Sequence, residues 1–222
     1  MNKPETDPAE RTSTTSIVPA TQIVFYDPHG AYSRPEDNPA RMYLLALAAM
    51  LAGGNARAVQ RGLDSFAGVR DRMEEVATIM GVTYINDTTA TAPVAAAAAL
   101  SALSGGPGRV HLLAGGADKK LDPTPLAVAA ARSGAAVYLF SGTATPALRA
   151  ALAAQGLDAR GDFEGMRDAV TAATGAAQPG DTVLLSPGCA SFGLFRDEFD
   201  RGEQFRQVVA ALTDAQVVAP HD

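Results

Sequence analysis

Three short stretches concentrate the residues of this chain that are able to do chemistry, and each follows an apolar run. Asn86-Asp-Thr-Thr-Ala-Thr91 offers an amide, a carboxylate and hydroxyls, while Gly115-Gly-Ala-Asp-Lys-Lys-Leu-Asp122 sets two ammonium groups behind a diglycine. Glycines there let a ligand come close to the backbone. The third stretch, 184–205, crowds small, hydroxyl, aromatic and charged residues where a buried strand must end at Ser186-Pro187-Gly188. A core does not need that mixture, whereas a site for a polar ligand does. Cys189, the one cysteine, has no histidine close in sequence and reads as a small buried hydrophobe rather than a nucleophile. His29, His111 and His221 lack metal-ligand spacing, so no metal site is assigned, and His111 in its apolar run reads as a core residue.

The elements that must position these stretches alternate along the chain. Apolar, β-branched runs at 80–86, 109–114, 136–140 and 182–185 read as strands. Segments 93–103, 126–133, 145–155 and 166–174 read as helices, and a last helical segment begins near Ser191 and reaches Val209. Strands alternating with helices predict an α/β fold, a doubly wound, mostly parallel, Rossmann-like sheet with right-handed crossovers. In such sheets ligands sit beyond the carboxyl ends of the strands, which is where the three polar stretches fall. Upstream, residues 1–20 read as a flexible tail, 22–26 as a short strand before the turn Asp27-Pro-His-Gly30, and 42–52 and 56–66 as helices broken at Gly53-Gly54-Asn55.

Composition narrows the class. With 47% hydrophobic and 19% charged residues, the 222-residue chain suits a globular protein of one domain plus an appendage. A net charge of −6 and no basic run longer than Lys119-Lys120 argue against nucleic acid as a partner. The longest apolar stretch, near residues 42–53, is too short for a membrane span, and the first 20 residues lack the apolar middle of a secretion signal. One cysteine allows no internal disulfide, so a cytoplasmic setting is the expectation. Gly115-Gly116 does not extend to the glycine pattern of a dinucleotide-binding loop.

Ser186-Pro-x-Cys-Ala-Ser191, followed by Phe195-Arg-x-x-Phe199 and Arg201-Gly-x-x-Phe205, resembles the C-terminal signature of the Mur ligases, in particular of their glutamate-adding members. These are ATP-dependent amide-bond-forming enzymes of peptidoglycan synthesis. The run Asn86 to Pro93 is similar to the family segment Asn-Asp-Ser-Lys-Ala-Thr-Asn, with Thr89 in place of the lysine. Leu113 to Asp122 is similar to Leu-Gly-Gly-x-x-Lys-x-x-Asp, and Gly68 to Glu74 to the family link Gly-x-x-x-Arg-Met-Glu.

The resemblance implies roles. Thr91, Lys119 and Ser191 would hold glutamate, of D or L configuration, with Phe199 walling the pocket. Asp87, Arg72 and, more distantly matched, Asn38 would meet the nucleotide. It spans about residues 38–209 and implies three parts: the tail 1–20, a helical remnant of the family's central ATP-binding domain over 21–67, and the C-terminal ligase domain over 68–215. Implied partners are glutamate, ATP with Mg2+, and UDP-N-acetylmuramoyl-L-alanine. No glycine in the chain is followed by Lys-Ser or Lys-Thr, so the family's phosphate loop is missing. The expectation is part of a ligase, inactive alone, arising from truncation, a split gene with a separate N-terminal half, or a partial sequence; the alternative is a non-catalytic binding module derived from one.

Overall fold

The computed structural model describes residues 50, 53–64 and 69–217. The tail 1–20, the expected strand 22–26, Asn38 and nearly all of the expected helix 42–52 lie outside the described residues. The second expected N-terminal helix is present as α1 (Ala56–Asp64), begun by Asn55, whose Oδ1 accepts the Ala58 N–H at 2.9 Å.

From Glu74 the chain builds one six-stranded sheet in the order β1-β2-β6-β3-β4-β5. Its strands are β1 (Glu74–Ile79), β2 (Val82–Asn86), β3 (Val110–Gly115), β4 (Ala136–Phe140), β5 (Arg160–Phe163) and β6 (Thr182–Leu185). Only β1 runs antiparallel, paired to β2 through the tight turn at Met80-Gly81, and every other pairing is parallel. The crossovers α2 (Pro93–Leu103), α3 (Thr124–Ser133) and α4 (Thr145–Ala154) carry the chain outward, then α5 (Met166–Ala176) returns it to β6 and α6 (Glu198–Val217) follows. The mostly parallel, doubly wound α/β architecture is the one the alternating runs predict.

Side-chain alternation along the central strands sorts the core into two layers. Leu112, Ala114 and Leu184 pack with Ala96, Leu100, Leu126, Leu148 and Leu152 of α2, α3 and α4. Leu113, Val183 and Leu185 point the other way, against Val170 and Ala173 of α5 and Phe205 and Val209 of α6. Strands buried on both faces must be apolar throughout, and β3 and β4 are buried at every position.

Two strands escaped the sequence. β1, Glu-Glu-Val-Ala-Thr-Ile, and β5, Arg-Gly-Asp-Phe, are the two edges of the sheet. Edge strands are half solvated and often charged, so they carry neither a continuous apolar run nor clean alternation. The last helix also differs: residues 192–197 form turns and bends, and α6 starts at Glu198 rather than near Ser191. Glycine at 193, with φ of 101°, stands in that non-helical approach.

Candidate functional site

β6 lies between β2 and β3, and the chain leaves those neighbours toward one face of the sheet but leaves β6 toward the other. A crevice opens where connections diverge in this way. Its rims are the three polar stretches singled out by their composition, and backbone hydrogen bonds tie them together. Gly115 N–H donates to Pro187 O at 2.9 Å, Gly188 N–H to Ala90 O at 2.8 Å, and Ala117 and Ala190 exchange bonds of 2.9 and 3.2 Å. Gly116, with φ of 137°, permits this: a Cβ there would collide with Ala190 O.

Asp87 is almost fully buried at the end of β2. Its Oδ2 accepts from the Ser186 hydroxyl at 2.8 Å and its Oδ1 from the Met73 N–H at 3.2 Å. Burial pushes its carboxyl up to about 6, against those hydrogen bonds and the charge of Arg72, which lower it. Arg72 occupies a turn flanked by left-handed Asp71 (φ 66°) and Met73 (φ 45°), conformations that neither side chain favours. Bonds from Thr89 hold that turn: its N–H and its hydroxyl both donate to Asp71 O, at 3.2 and 2.8 Å.

The raised Asp87 value has a testable sign. A carboxyl whose folded-state value lies above its unfolded one weakens the fold as pH rises, by nothing below about pH 4 and by up to about 3 kcal/mol above about pH 6. Asp87→Asn can keep both bonds, accepting from Met73 and donating to the Ser186 oxygen. In urea titrations the variant is expected to match wild type near pH 4, and to be more stable by about 2 kcal/mol at pH 7. A pH-independent difference would contradict a buried carboxylate at this position.

Thr91 and Lys119 meet directly, with Lys119 Nζ donating to Thr91 Oγ1 at 3.0 Å and to Thr91 O at 3.3 Å. Ser191, only 3% exposed, follows the Ala117–Ala190 bridge and makes no side-chain hydrogen bond among the described residues. Phe199 stands in the first turn of α6 and is 58% exposed, and Phe192 and Leu121 are exposed too. A hollow between these loops is lined by Pro93, Lys119, Leu126, Ala144, Gly188 and Cys189. Burial pushes the Cys189 thiol up to about 11, so at neutral pH it is a protonated, packed group. His111 lies at the opposite end of β3, its Nε2 3.0 Å from Asp181 and its Nδ1 3.2 Å from the Tyr138 hydroxyl, a buried ring with both nitrogens partnered.

Two groups of residues around the crevice carried no role in the sequence. Arg201 is fully buried and donates to Thr88 Oγ1 (3.0 Å), Thr88 O (2.9 Å) and Cys189 O (3.3 Å). Beside it, Asp71 and Glu74 are bound together: Asn86 Nδ2 donates to both at 2.9 and 3.1 Å, and Arg206 Nη1 to both at 2.8 and 2.9 Å. The signal that finds Arg201 is its spacing ahead of Phe205 and Val209, which puts an arginine on the apolar stripe of its helix.

The fold and these loops define a doubly wound ligand-binding domain, with acid, hydroxyl and ammonium groups gathered at its switch point. A model of the family described as Mur ligase, glutamate ligase domain matches residues 71–189, and the chain belongs to the Mur ligase family. It is 49% identical over 157 residues to the UDP-N-acetylmuramoylalanine–D-glutamate ligase of Roseiflexus sp. (strain RS-1), covering 70% of this chain and 33% of that protein. With the ligase of the same name from Symbiobacterium thermophilum it shares 38% over 183 residues, covering 79% of this chain and 38% of the relative. Among solved structures, UDP-N-acetylmuramate-alanine ligase MurC from Thermotoga maritima shares the fold, with a TM-score of 0.60 and 14% identity over 80% of this chain and 38% of that one. The chain thus spans 33% and 38% of the length of these two curated relatives.

Proposed function

We propose that this chain is the amino-acid-presenting domain of an ATP-dependent ligase that joins glutamate to UDP-N-acetylmuramoyl-L-alanine in cytoplasmic peptidoglycan synthesis. The observation that carries the proposal is the crevice itself. It sets a lysine ammonium on Thr91 and leaves the Ser191 hydroxyl, on a residue only 3% exposed but itself not sealed from solvent, without a side-chain partner among the described residues, next to the bridge between the two loops. A dicarboxylate with one ammonium group suits that pairing of cation and hydroxyl donor. The names of the curated relatives give the specific substrates, and D-glutamate is the amino acid those names carry.

In this proposal Lys119, Thr91 and Ser191 hold the amino acid, Phe199 covers it, and Asp87 and Arg72 reach the nucleotide. A carboxylate kept buried at a stability cost, as at Asp87, is the pattern of a group retained for a ligand. Asn38, the remaining expected nucleotide contact, lies outside the described residues. Among the described residues no group of three or more His, Cys, Asp or Glu stands together to hold a metal ion by itself, and no step is assigned to Mg2+ here. None of the described helices is long and apolar enough to cross a membrane. What this domain contributes is binding, orientation and exclusion of water around the attacking amine.

Residues 1–222 alone are expected to bind D-glutamate, seen as amide shifts at Thr91, Lys119 and Ser191, and to give no ligation with ATP and UDP-N-acetylmuramoyl-L-alanine. Adding a separate chain that carries a phosphate loop and a UDP-binding domain is expected to restore ligation. Ligation by the 222 residues alone, or no shifts on addition of glutamate, would refute the proposal. A second reading, a binding module without catalysis, is favoured by one observation: Thr89 replaces the lysine of the family motif and commits its hydroxyl to the Asp71 carbonyl. Glutamate binding without restored ligation would select it.

A further inference from the structure

Arg201 has the largest fully buried side chain among the described residues, and its guanidinium forms no ion pair within them. Burial pushes its value down to about 10, still charged at neutral pH. A buried cation without a counter-ion is costly, and an apolar side chain of similar volume fills such a space at less cost. What an apolar side chain cannot do is hold three oxygens on two different loops.

Two of the three, Thr88 Oγ1 and Thr88 O, belong to the loop that ends at Thr91, and the third, Cys189 O, lies two residues before Ser191. The Thr88 hydroxyl in turn donates to Glu198 O at 2.8 Å, so the start of α6 is fastened to the same point. A rigid planar fork with five donors suits this bridging task, whereas a lysine presents a single ammonium.

We propose that Arg201 is a positioning residue: it sets the distance between the Thr91–Lys119 pair and Ser191, so that one ligand meets both sides of the crevice. The proposal rests on reading the crevice as a glutamate site. Misplacing one wall by an ångström is enough to weaken a bridging ligand strongly, while each wall stays folded.

The test compares wild type, Arg201→Lys and Phe205→Leu by NMR titration with D-glutamate, alongside thermal unfolding. Phe205 is fully buried on the same helix, so its truncation lowers stability from the same element while leaving the two loops their arginine. Arg201→Lys is expected to move the Thr91 and Ser191 amide resonances before any ligand is added, and to weaken glutamate binding by roughly tenfold or more. Phe205→Leu is expected to hold affinity within about twofold of wild type despite its lower Tm.

Equal weakening in both variants, or unmoved Thr91 and Ser191 resonances in Arg201→Lys, would overturn the positioning role. If wild type itself ignores glutamate, the proposed function fails, and the ligand-free resonances still decide the role of Arg201. Should Arg201→Lys not fold, Thr88→Val, which deletes the Nε contact and the bond to Glu198 O but leaves Arg201 its two carbonyl partners, takes its place with the same outcomes.

Discussion

Gly202→Ala is expected to destabilise the domain by about 3 kcal/mol, measured as a drop in the urea midpoint at unchanged slope. The sign opposes helix propensity, which favours alanine over an interior helical glycine by about 1 kcal/mol. Space decides it. A Cβ on Gly202 would collide with Asp71 Oδ1, and would lie 2.7 Å from Thr88 Cγ2 and 3.0 Å from Asn86 Nδ2. Asp71 and Asn86 are buried and hydrogen-bonded to each other, so they have nowhere to move without breaking that network. Gly175→Ala provides the control: it sits within α5 with nothing within 4 Å of an added Cβ, and its expected effect is a gain of up to about 1 kcal/mol. If both glycines respond alike, α6 does not approach the loop after β2 as closely as described.

The second large effect is expected at Arg206, where replacement by methionine should remove about 2 to 3 kcal/mol. Arg206 is 17% exposed and its Nη1 bridges Asp71 Oδ1 and Glu74 Oε2, while Nη2 donates to Glu203 Oε2 at 2.9 Å. Burial works against its charge, but hydrogen bonds to Asp71 and Glu203 outweigh that and hold the guanidinium above its ordinary value. Without it two neighbouring carboxylates, one of them buried, would share Asn86, with the exposed Arg70 still near Asp71, at 3.8 Å. Methionine keeps most of the apolar stem, so the loss reports charge rather than volume. A double-mutant cycle with Asp71→Asn checks the assignment: the double variant should lose less than the sum of the singles by about 1 to 2 kcal/mol. Strict additivity would mean that the pair with Asp71 contributes nothing to what Arg206 stabilises.

Gly202 belongs to a run that reads in the sequence as part of a ligand site, and Arg206 stands one residue beyond it. Phe199-Asp-Arg201-Gly202-x-x-Phe205 looked like chemistry because charge, glycine and aromatics stood together after a strand. In the fold, Arg201, Gly202 and Phe205 face inward, where they fasten α6 to the loop after β2 and fill the core. Composition cannot separate those uses, since a buried guanidinium bonded to carbonyls and a guanidinium awaiting a ligand are written with the same letter. The helical spacing of Arg201, Phe205 and Val209 is the one sign in the sequence that these residues share an inward face.

Other parts were open to view. β3, β4 and β6 were readable as strands because both their faces are covered, which demands apolar residues at every position. Each of the loops 86–91, 115–122 and 186–191 alone reads as ordinary turn and cap residues, and it is their occurrence together after three such strands that marks a site. β1 and β5 were not readable, because an edge strand takes its shape from a neighbour that local sequence does not name.

By itself, then, the sequence determined the α/β class, the order of the central elements and which loops would gather at one end of the sheet, since burial and handed crossovers leave few alternatives. Only the tertiary structure decided how those loops are joined. That Lys119 lies on Thr91, that Asp87 is buried under Ser186, and that Arg201 spans Thr88 and Cys189 are contacts between residues far apart in the chain. Their geometry is set by the packing of two helical layers on a twisted sheet, a property of the whole core and of no single segment.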